Sequence, residues 1–262
     1  MGLACARRLT AAVDHLLLVD LDAEAATAAS GELSAPGGAQ VEPFALDVTD
    51  RAGLDRLANR VRELGWLRSV AHAAGVSPTM ADWRRVLTVD LVGTAVLIDV
   101  LAPLATSGTA IVCFASMAPL LAGIEDPAAD AALDDPLADD FLDRLHGALG
   151  DTVEDTGMAY SWAKRGVHRL VNREASRLGP LGARICSVSP GLIDTPMNAQ
   201  EMAEHPFMEV LLQQTPLGRL GQADELASVV EFLLSDEASF VSGIDVLVDG
   251  GVVAAIKAPP PG

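Results

Sequence analysis

The chain has 262 residues, half of them apolar and 21% charged, with a formal net charge of −18. Such a composition supports a sizeable core and excludes global disorder, and the length fits one large α/β domain or two small ones. The acidic balance argues against nucleic acid or an anionic membrane as the main partner, and no apolar run approaches the length of a membrane span.

Short apolar runs alternate with longer helical stretches. "MGLACARRL" opens as a helix on Gly2 and carries no address label: Arg7 and Arg8 interrupt any signal core, and Ala6 stands where N-myristoylation needs Ser or Thr. "HLLLVDLD" predicts a strand ending in acid, and "AEAATAASGEL" a helix. "QVEPFALDVTD" predicts a second strand, with Thr49 or Asp50 placed to cap the helix "RAGLDRLANRVREL". "LRSVAHAAGV" is a third strand running into a small-residue turn, and "WRRVLTVDLVGTAVLIDVLAPL" a long helix. "TAIVCFASM" is a fourth strand; then come a helix bearing "YSWAKRGVHRLVNREASRLG", the strand "ARICSVSPG", the helix "ADELASVVEFLLS" and a last strand "DVLVDGG". Strands separated by such helices imply βαβ units and a mostly parallel sheet.

Residues 123–157 break the rhythm. They hold eleven of the 36 acids and a single arginine, yet Leu133, Leu137, Phe141, Leu145 and Leu149 recur every four residues, which predicts one apolar stripe on one helix. The segment is either a solvated helical insertion or a stripe docked over the site or against a second subunit. "KAPPPG" at the end cannot be helix or inner strand and reads as a loose or surface-lying tail. Cys5, Cys113 and Cys186 are odd in number and set in apolar company, as in a reduced cytoplasmic protein. The five histidines show no ligand spacing, so no metal is assigned.

Tyr160 and Lys164 lie four apart on a predicted helix, hence on one face. A free phenol titrates near ~10, and a neighbouring cation favours the phenolate, which suits proton exchange with a hydroxyl or carbonyl. The spacing alone also occurs by chance on surface helices. Ser116 follows a buried-looking strand, where its hydroxyl can hold a substrate oxygen or simply form a turn. Asp20 and Asp47 each close a strand: Asp20 can take two hydrogen bonds from an adenosine ribose and repel a 2′-phosphate, or serve as a helix N-cap. "AHAAGV" offers small residues where a flat ring could pass, and "SPGLIDTPM" offers Gly191 for a tight turn and the Thr195 hydroxyl.

In this order the pieces resemble the short-chain dehydrogenase/reductase family over nearly the whole length: Gly2, Asp20, "LDV" at 46–48, "AAG" at 73–75, Ser116, Tyr160 with Lys164, "PGLIDTP" at 190–196 and "VDGG" at 248–251. The resemblance implies an α/β, Rossmann-type doubly wound parallel sheet with helices on both faces. It further implies a single dinucleotide-binding and catalytic domain over 1–262, with 123–157 inserted and 252–262 a tail. By resemblance Tyr160 is the acid/base, Lys164 lowers its pKa and binds the nicotinamide ribose, and Ser116 positions the substrate oxygen. Ile193 and Thr195 hold the carboxamide, Asp47 and Val48 line the adenine, Ala74 and Gly75 lie along the cofactor, and Asp20 makes NAD the expected cofactor.

The long gap from Ser116 to Tyr160 looks like the bacterial 3α-hydroxysteroid dehydrogenase/carbonyl reductase branch. That implies a homodimer and a secondary alcohol or ketone, a steroid or another bulky alicyclic one, as substrate. Met197, Met202, Phe207 and Met208 then suggest an apolar pocket wall, or ordinary helix packing. Asp90 stands where the family usually has the asparagine of its proton relay; its backbone carbonyl would support a water, while its carboxylate could raise the pKa of Tyr160. His72 and Ala73 replace an asparagine pair, which weakens a structural hydrogen bond.

Gly2 looks like the last glycine of the family's phosphate-binding turn, and the first, central strand is apparently absent. The expectation is therefore a start upstream of Met1, or flanking strands that close up or accept a strand from elsewhere, with weak NAD binding for the chain as written because only a remnant of the phosphate cradle remains. An alternative function follows: a catalytically impaired dinucleotide-binding or scaffold protein on the same fold.

Overall fold

The computed structural model describes residues 1–258. Helix α1 (Gly2–Leu9) leads to β1 (His15–Asp20), α2 (Ala23–Leu33), β2 (Gln40–Ala45), α3 (Arg51–Leu64) and β3 (Ser69–His72). The next helix runs as α4 (Trp83–Leu87), a π-helical turn (Thr88–Gly93) and α5 (Thr94–Leu101), before β4 (Ala110–Phe114). After α6 (Ala118–Ala122) the insertion contributes α7 (Pro127–Leu133) and α8 (Phe141–Leu149), followed by α9 (Thr156–Leu178) and β5 (Arg184–Pro190). The chain continues through β6 (Ile193–Asp194), α10 (Pro196–Glu204), α11 (Phe207–Gln214), β7 (Gly221–Gln222), α12 (Ala223–Leu234), β8 (Asp245–Val248) and α13 (Val252–Lys257).

All the strand pairs are parallel, so within each ladder the strands deliver their C-terminal residues to one edge. Side chains of β4 alternate between the faces. Ile111 and Cys113 pack with α9 and α5, whereas Ala110, Val112 and Phe114 pack with α1 and α12. Both faces are thus covered, which is why β4 and β5 read as continuous apolar runs.

The strands form two main ladders, β1–β2 and β3–β4–β5–β8, and no ladder joins β1 to β3 among the described residues. These two strands have not closed up into one sheet. Their side chains show it: β1 is exposed or half-buried throughout, and β3 buries only His72 fully, while β4 is fully buried.

Asp22 caps α2 by accepting the Glu24 and Ala25 N–H groups at 2.8 and 3.1 Å. At α3 neither expected side chain caps: Asp50 sits at the N-cap position without a capping bond, and Thr49 donates its hydroxyl to Asp47 at 2.7 Å. The helix from Trp83 to Leu104 has 22 residues and a mean hydropathy of 1.9 in its apolar window, long and apolar enough to cross a membrane by length and composition, against expectation. Here 78% of that window is buried inside the fold, as the central helix between α3 and α9.

The insertion corrects the single-helix reading. Pro136 cannot continue α7, so residues 134–140 turn, and Leu137 is left 42% exposed while Leu133, Phe141 and Leu145 are buried. Those three join Trp83, Val86, Trp162 and Val167 in the core of the same chain. The acids meet the basic side of α9: Arg165 pairs with Asp130 at 2.7 Å and Arg169 with Asp134 at 2.5 Å. The segment is therefore neither a solvated appendage nor one unbroken stripe. Truncating Leu145 to alanine is expected to destabilise the whole domain by about 2–5 kcal/mol in chemical denaturation; a loss near zero would mean the insertion unfolds separately.

The C-terminal segment begins as α13, with Val252 and Val253 buried against Met117, Leu192 and Leu211. Most of "KAPPPG" lies outside the described residues.

Candidate active site

Helix α9 carries the centre. Lys164 is only 4% exposed, and its ammonium donates to the Phe114 carbonyl at the end of β4 at 3.1 Å. The same nitrogen stands 3.7 Å from Asp90 Oδ1 and 5.5 Å from the centroid of the Tyr160 ring. Burial would strip this cation of water, and these three partners replace the solvent.

Asp90 is fully buried and sits in the π-helical turn, a local widening of the helix that often marks functional sites. Its Oδ1 accepts the Val76 N–H at 2.9 Å, and its Oδ2 has no hydrogen-bond partner among the described residues. Its backbone carbonyl, which the resemblance gives to a relay water, accepts the Thr94 hydroxyl at 2.8 Å. Because that hydroxyl spends its proton on Asp90, the neutral His72 ring acts as donor to Thr94 Oγ1 through Nε2 at 2.9 Å. Burial holds His72 at a pKa of about 4, so the ring is uncharged near neutrality. His72 thus supplies a structural hydrogen bond rather than losing one. Gly75 packs into this knot, where an added Cβ would lie 2.7 Å from Asp90 Oδ1 and 3.4 Å from Lys164 Nζ.

The Tyr160 phenol is pushed above its ordinary value, first by burial and further by the Asp90 and Glu201 carboxylates. Lys164 and the Ser116 hydroxyl pull it down, as expected of them, but burial outweighs both. The expected net lowering is therefore not what this structure carries. Asp90 itself is raised by burial, against the pull of Lys164, while the Asp90 charge keeps Lys164 protonated. Ser116 Oγ accepts the Ala118 N–H at 3.1 Å, which fixes the hydroxyl beside the phenol.

The other sequence-predicted residues lie at strand ends or in the turns and helix starts beyond them. Gly2 opens α1 against the end of β3, where a Cβ would meet Ala73 at 3.4 Å, next to Ala74 and Gly75. Asp20 ends β1, is exposed, and uses only Oδ1, which accepts the Asp22 N–H at 3.0 Å. It is Asp22, not Asp20, that caps α2. Asp47 is more occupied: Oδ1 takes the Thr49 N–H at 2.9 Å, and Oδ2 meets Arg85 at 3.0 Å. These bonds hold its carboxyl below the usual range. Val48 packs on the π turn, where a Cβ at Gly93 would come within 2.9 Å of its methyl. Ile193 is buried in β6, and the Thr195 hydroxyl caps α10 by accepting the Asn198 N–H at 3.2 Å. Gly191 is required for close approach: its Cβ would fall 2.5 Å from Asp249 Cα.

Sequence reasoning missed the π turn, the Arg85–Asp47 pair and a part-buried bond between Thr79 and Glu201, which are 122 residues apart. It also found no metal spacing, yet His146, Asp151 and Glu154 bring their ligand atoms within 4.8 Å on the insertion surface.

A parallel α/β sheet with a Ser–Tyr–Lys cluster at its carboxyl edge defines the class of dinucleotide-binding oxidoreductases. A family model described as Enoyl-(Acyl carrier protein) reductase, in the short-chain dehydrogenase/reductase group, matches residues 1–131 and 148–253. The unmatched stretch falls inside the insertion. The chain belongs to the short-chain dehydrogenase/reductase family, oxidoreductases acting on alcohols and ketones with nicotinamide dinucleotides. It is 31% identical to the short-chain dehydrogenase/reductase bsc3 of Alternaria brassicicola over 84% of this chain and 81% of that protein. It is 28% identical to D-threitol dehydrogenase of Mycolicibacterium smegmatis over 96% and 88% of the two chains. Among solved structures, a glucose/ribitol dehydrogenase-type family member from Brucella melitensis superposes with a TM-score of 0.74 at 26% identity, covering 95% and 90%.

Proposed function

We propose that this chain interconverts a secondary alcohol and a ketone with NAD, through Tyr160 as acid/base. The observation that carries the reading is the buried Lys164 ammonium, held between the Tyr160 ring and Asp90 with Ser116 beside the phenol. In the oxidation direction the Tyr160 oxygen takes the substrate hydroxyl proton while Ser116 holds the same substrate oxygen. In reduction Tyr160 returns that proton to the carbonyl oxygen. The dinucleotide, when bound, supplies the hydride acceptor or donor.

The residues present fit such a group. Gly75 lets the backbone after β3 pack directly on Asp90 and Lys164, and Asp20 offers a free carboxylate oxygen at the end of β1. Lys164 would hold the nicotinamide ribose, Ile193 and Thr195 the carboxamide, Asp47 and Val48 the adenine surroundings, and Asp20 the adenosine ribose. The N-terminus of α1 at Gly2 would face the phosphates. A 2′-phosphate would meet the Asp20 charge, which favours NAD over NADP. The substrate is a secondary alcohol on a bulky or alicyclic frame. The assembly is a homodimer in the cytoplasm: the insertion already covers the arginine side of α9, and the three cysteines are free and buried.

Titration with NADH and NADPH, followed by assay against a panel of cyclic and acyclic secondary alcohols, tests this. NADH is expected to bind at least tenfold more tightly than NADPH. Asp20→Ala should cost NADH roughly 10–100-fold while sparing NADPH, as loss of hydrogen bonds to a charged group implies. Sedimentation of the same sample reads the dimer. Binding without turnover of any alcohol would favour the impaired or scaffold alternative; equal affinity for both cofactors would remove NAD preference.

A further inference from the structure

The acids of the insertion are answered unequally. Asp130 and Asp134 pair with Arg165 and Arg169, and Asp135 and Asp140 with Arg144. Asp151 and Glu154 have no arginine or lysine within ion-pair reach among the described residues. Their one basic neighbour is His146, whose Nε2 stands 4.0 Å from Asp151 Oδ1 and 2.9 Å from Glu154 Oε1. One imidazole cannot balance two carboxylates, and the three ligand atoms all lie within 4.8 Å of one another.

Backbone and packing hold these groups together. Asp151 and Glu154 are three apart in a 3-10 turn (Gly150–Glu154). Such a turn has three residues per revolution, so the two positions eclipse and both carboxylates leave on one side. Val153 in the same turn is fully buried and pins it to the core. The Thr152 hydroxyl donates to the Leu149 carbonyl at 2.5 Å, which ties the turn back to the end of α8. His146 lies in the last turn of α8, beside the fully buried Leu145. Its ring stacks on Trp83, with centroids 5.6 Å apart and planes 30° from parallel. Trp83 is only 8% exposed, so the core itself sets the direction of the imidazole. A ligand whose rotamer is fixed by packing is preorganised for coordination.

We propose that His146 Nε2 and the Asp151 and Glu154 carboxylates bind a zinc-type divalent cation, which clamps the end of α8 to the turn leading into α9. One imidazole nitrogen and two carboxylate oxygens form a donor set that zinc accepts, and the two carboxylates neutralise its charge. At bond lengths of about 2.0–2.2 Å, ligand atoms on a tetrahedral cation lie about 3.3 Å apart. His146 and Glu154 are already near that separation, and the Asp151 side chain, 99% exposed, is free to swing inward. His146 Nε2–H now donates to Glu154 Oε1. The cation takes that proton's place, and the proton passes to Nδ1, so the ring binds as neutral imidazole. Magnesium favours an octahedron of oxygens and gains nothing from the imidazole.

Calorimetric titration of the full, tag-free chain with zinc chloride, and separately with magnesium chloride, tests this. The wild type is expected to take up one equivalent of zinc at this site, at least tenfold more tightly than magnesium, and to melt at a higher temperature when loaded. His146→Phe keeps a ring on Trp83 and removes the nitrogen. Asp151→Asn alters a side chain that packs on nothing, so it folds even if the ring change does not. Each is expected to weaken zinc binding by about tenfold or more and to abolish the thermal shift. Asp139→Asn, an exposed acid of the insertion outside the cluster, should leave both at their wild-type values. X-ray absorption of the zinc-loaded wild type should show one imidazole in the coordination shell. Absence of one-to-one zinc binding, retention of that binding in Asp151→Asn, or equal affinity for magnesium would overturn the site and leave an acidic surface only.

Discussion

Replacing Tyr160 by phenylalanine is expected to lower kcat by roughly 10²–10⁴-fold, the range general acid–base groups contribute, while NADH affinity changes less than about threefold. The asymmetry follows from the geometry. The ring of Tyr160 packs against the core cluster that holds residues of α4 and α9, and phenylalanine preserves that packing. The phenol oxygen alone is lost, and it is the one group beside Ser116 able to give or take a proton. Lys164 keeps its bond to the Phe114 carbonyl and its neighbour Asp90, so the ribose-facing side of the site stays in place. Steady-state assay of both directions, with fluorescence titration of NADH, reads the two effects separately. Turnover within tenfold of wild type would remove Tyr160 from the chemistry.

The order of strands and helices was legible because a parallel sheet covered on both faces needs apolar runs, and β4 and β5 are such runs. Ser116, Tyr160 and Lys164 were legible for a related reason. A residue just past a buried strand falls at the carboxyl edge, and a four-residue spacing on a helix puts two side chains on one face. What stayed hidden was set by partners far away in sequence. Nothing local marks Thr88–Gly93 as a π turn, because the hydrogen bonds that widen it leave no period in the side chains. Nothing in the sequence singled out Glu201, whose bond to Thr79 spans 122 residues. The insertion misled in the opposite way. Its four-residue period was real in the letters, but the turn around Pro136 divides it between two short helices that join α4 and α9 in one core. The net direction of the Tyr160 shift was not readable either. It depends on how far burial and two carboxylates oppose one ammonium, which spacing cannot supply.

Asp90 and Lys164 yield the second large effect, and its signs can be worked out from their surroundings. The groups facing the phenol are Lys164, Ser116, Asp90 and Glu201, with Cys113 and His72 behind the ammonium. Asp90→Asn removes a negative charge that raises Tyr160 and also helps keep Lys164 protonated. Oxidation requires the phenolate, so its rise with pH should come at lower pH in this variant; reduction requires the phenol, so its fall should come at lower pH too. The carboxamide oxygen can still accept the Val76 N–H, and the loop 75–79 is expected to hold. Lys164→Met acts very differently, because it strands a fully buried carboxylate that already has one unpartnered oxygen. Loss of one partner of a buried pair costs about 3–5 kcal/mol, so this variant should unfold far earlier in denaturant than wild type. In the Asp90→Asn background the same lysine change should cost much less, since no buried charge is left alone, and the cycle of four proteins measures that coupling. If the two changes are additive, Asp90 is protonated and neutral in the native state, and the pH profile of Asp90→Asn should then overlie that of the wild type.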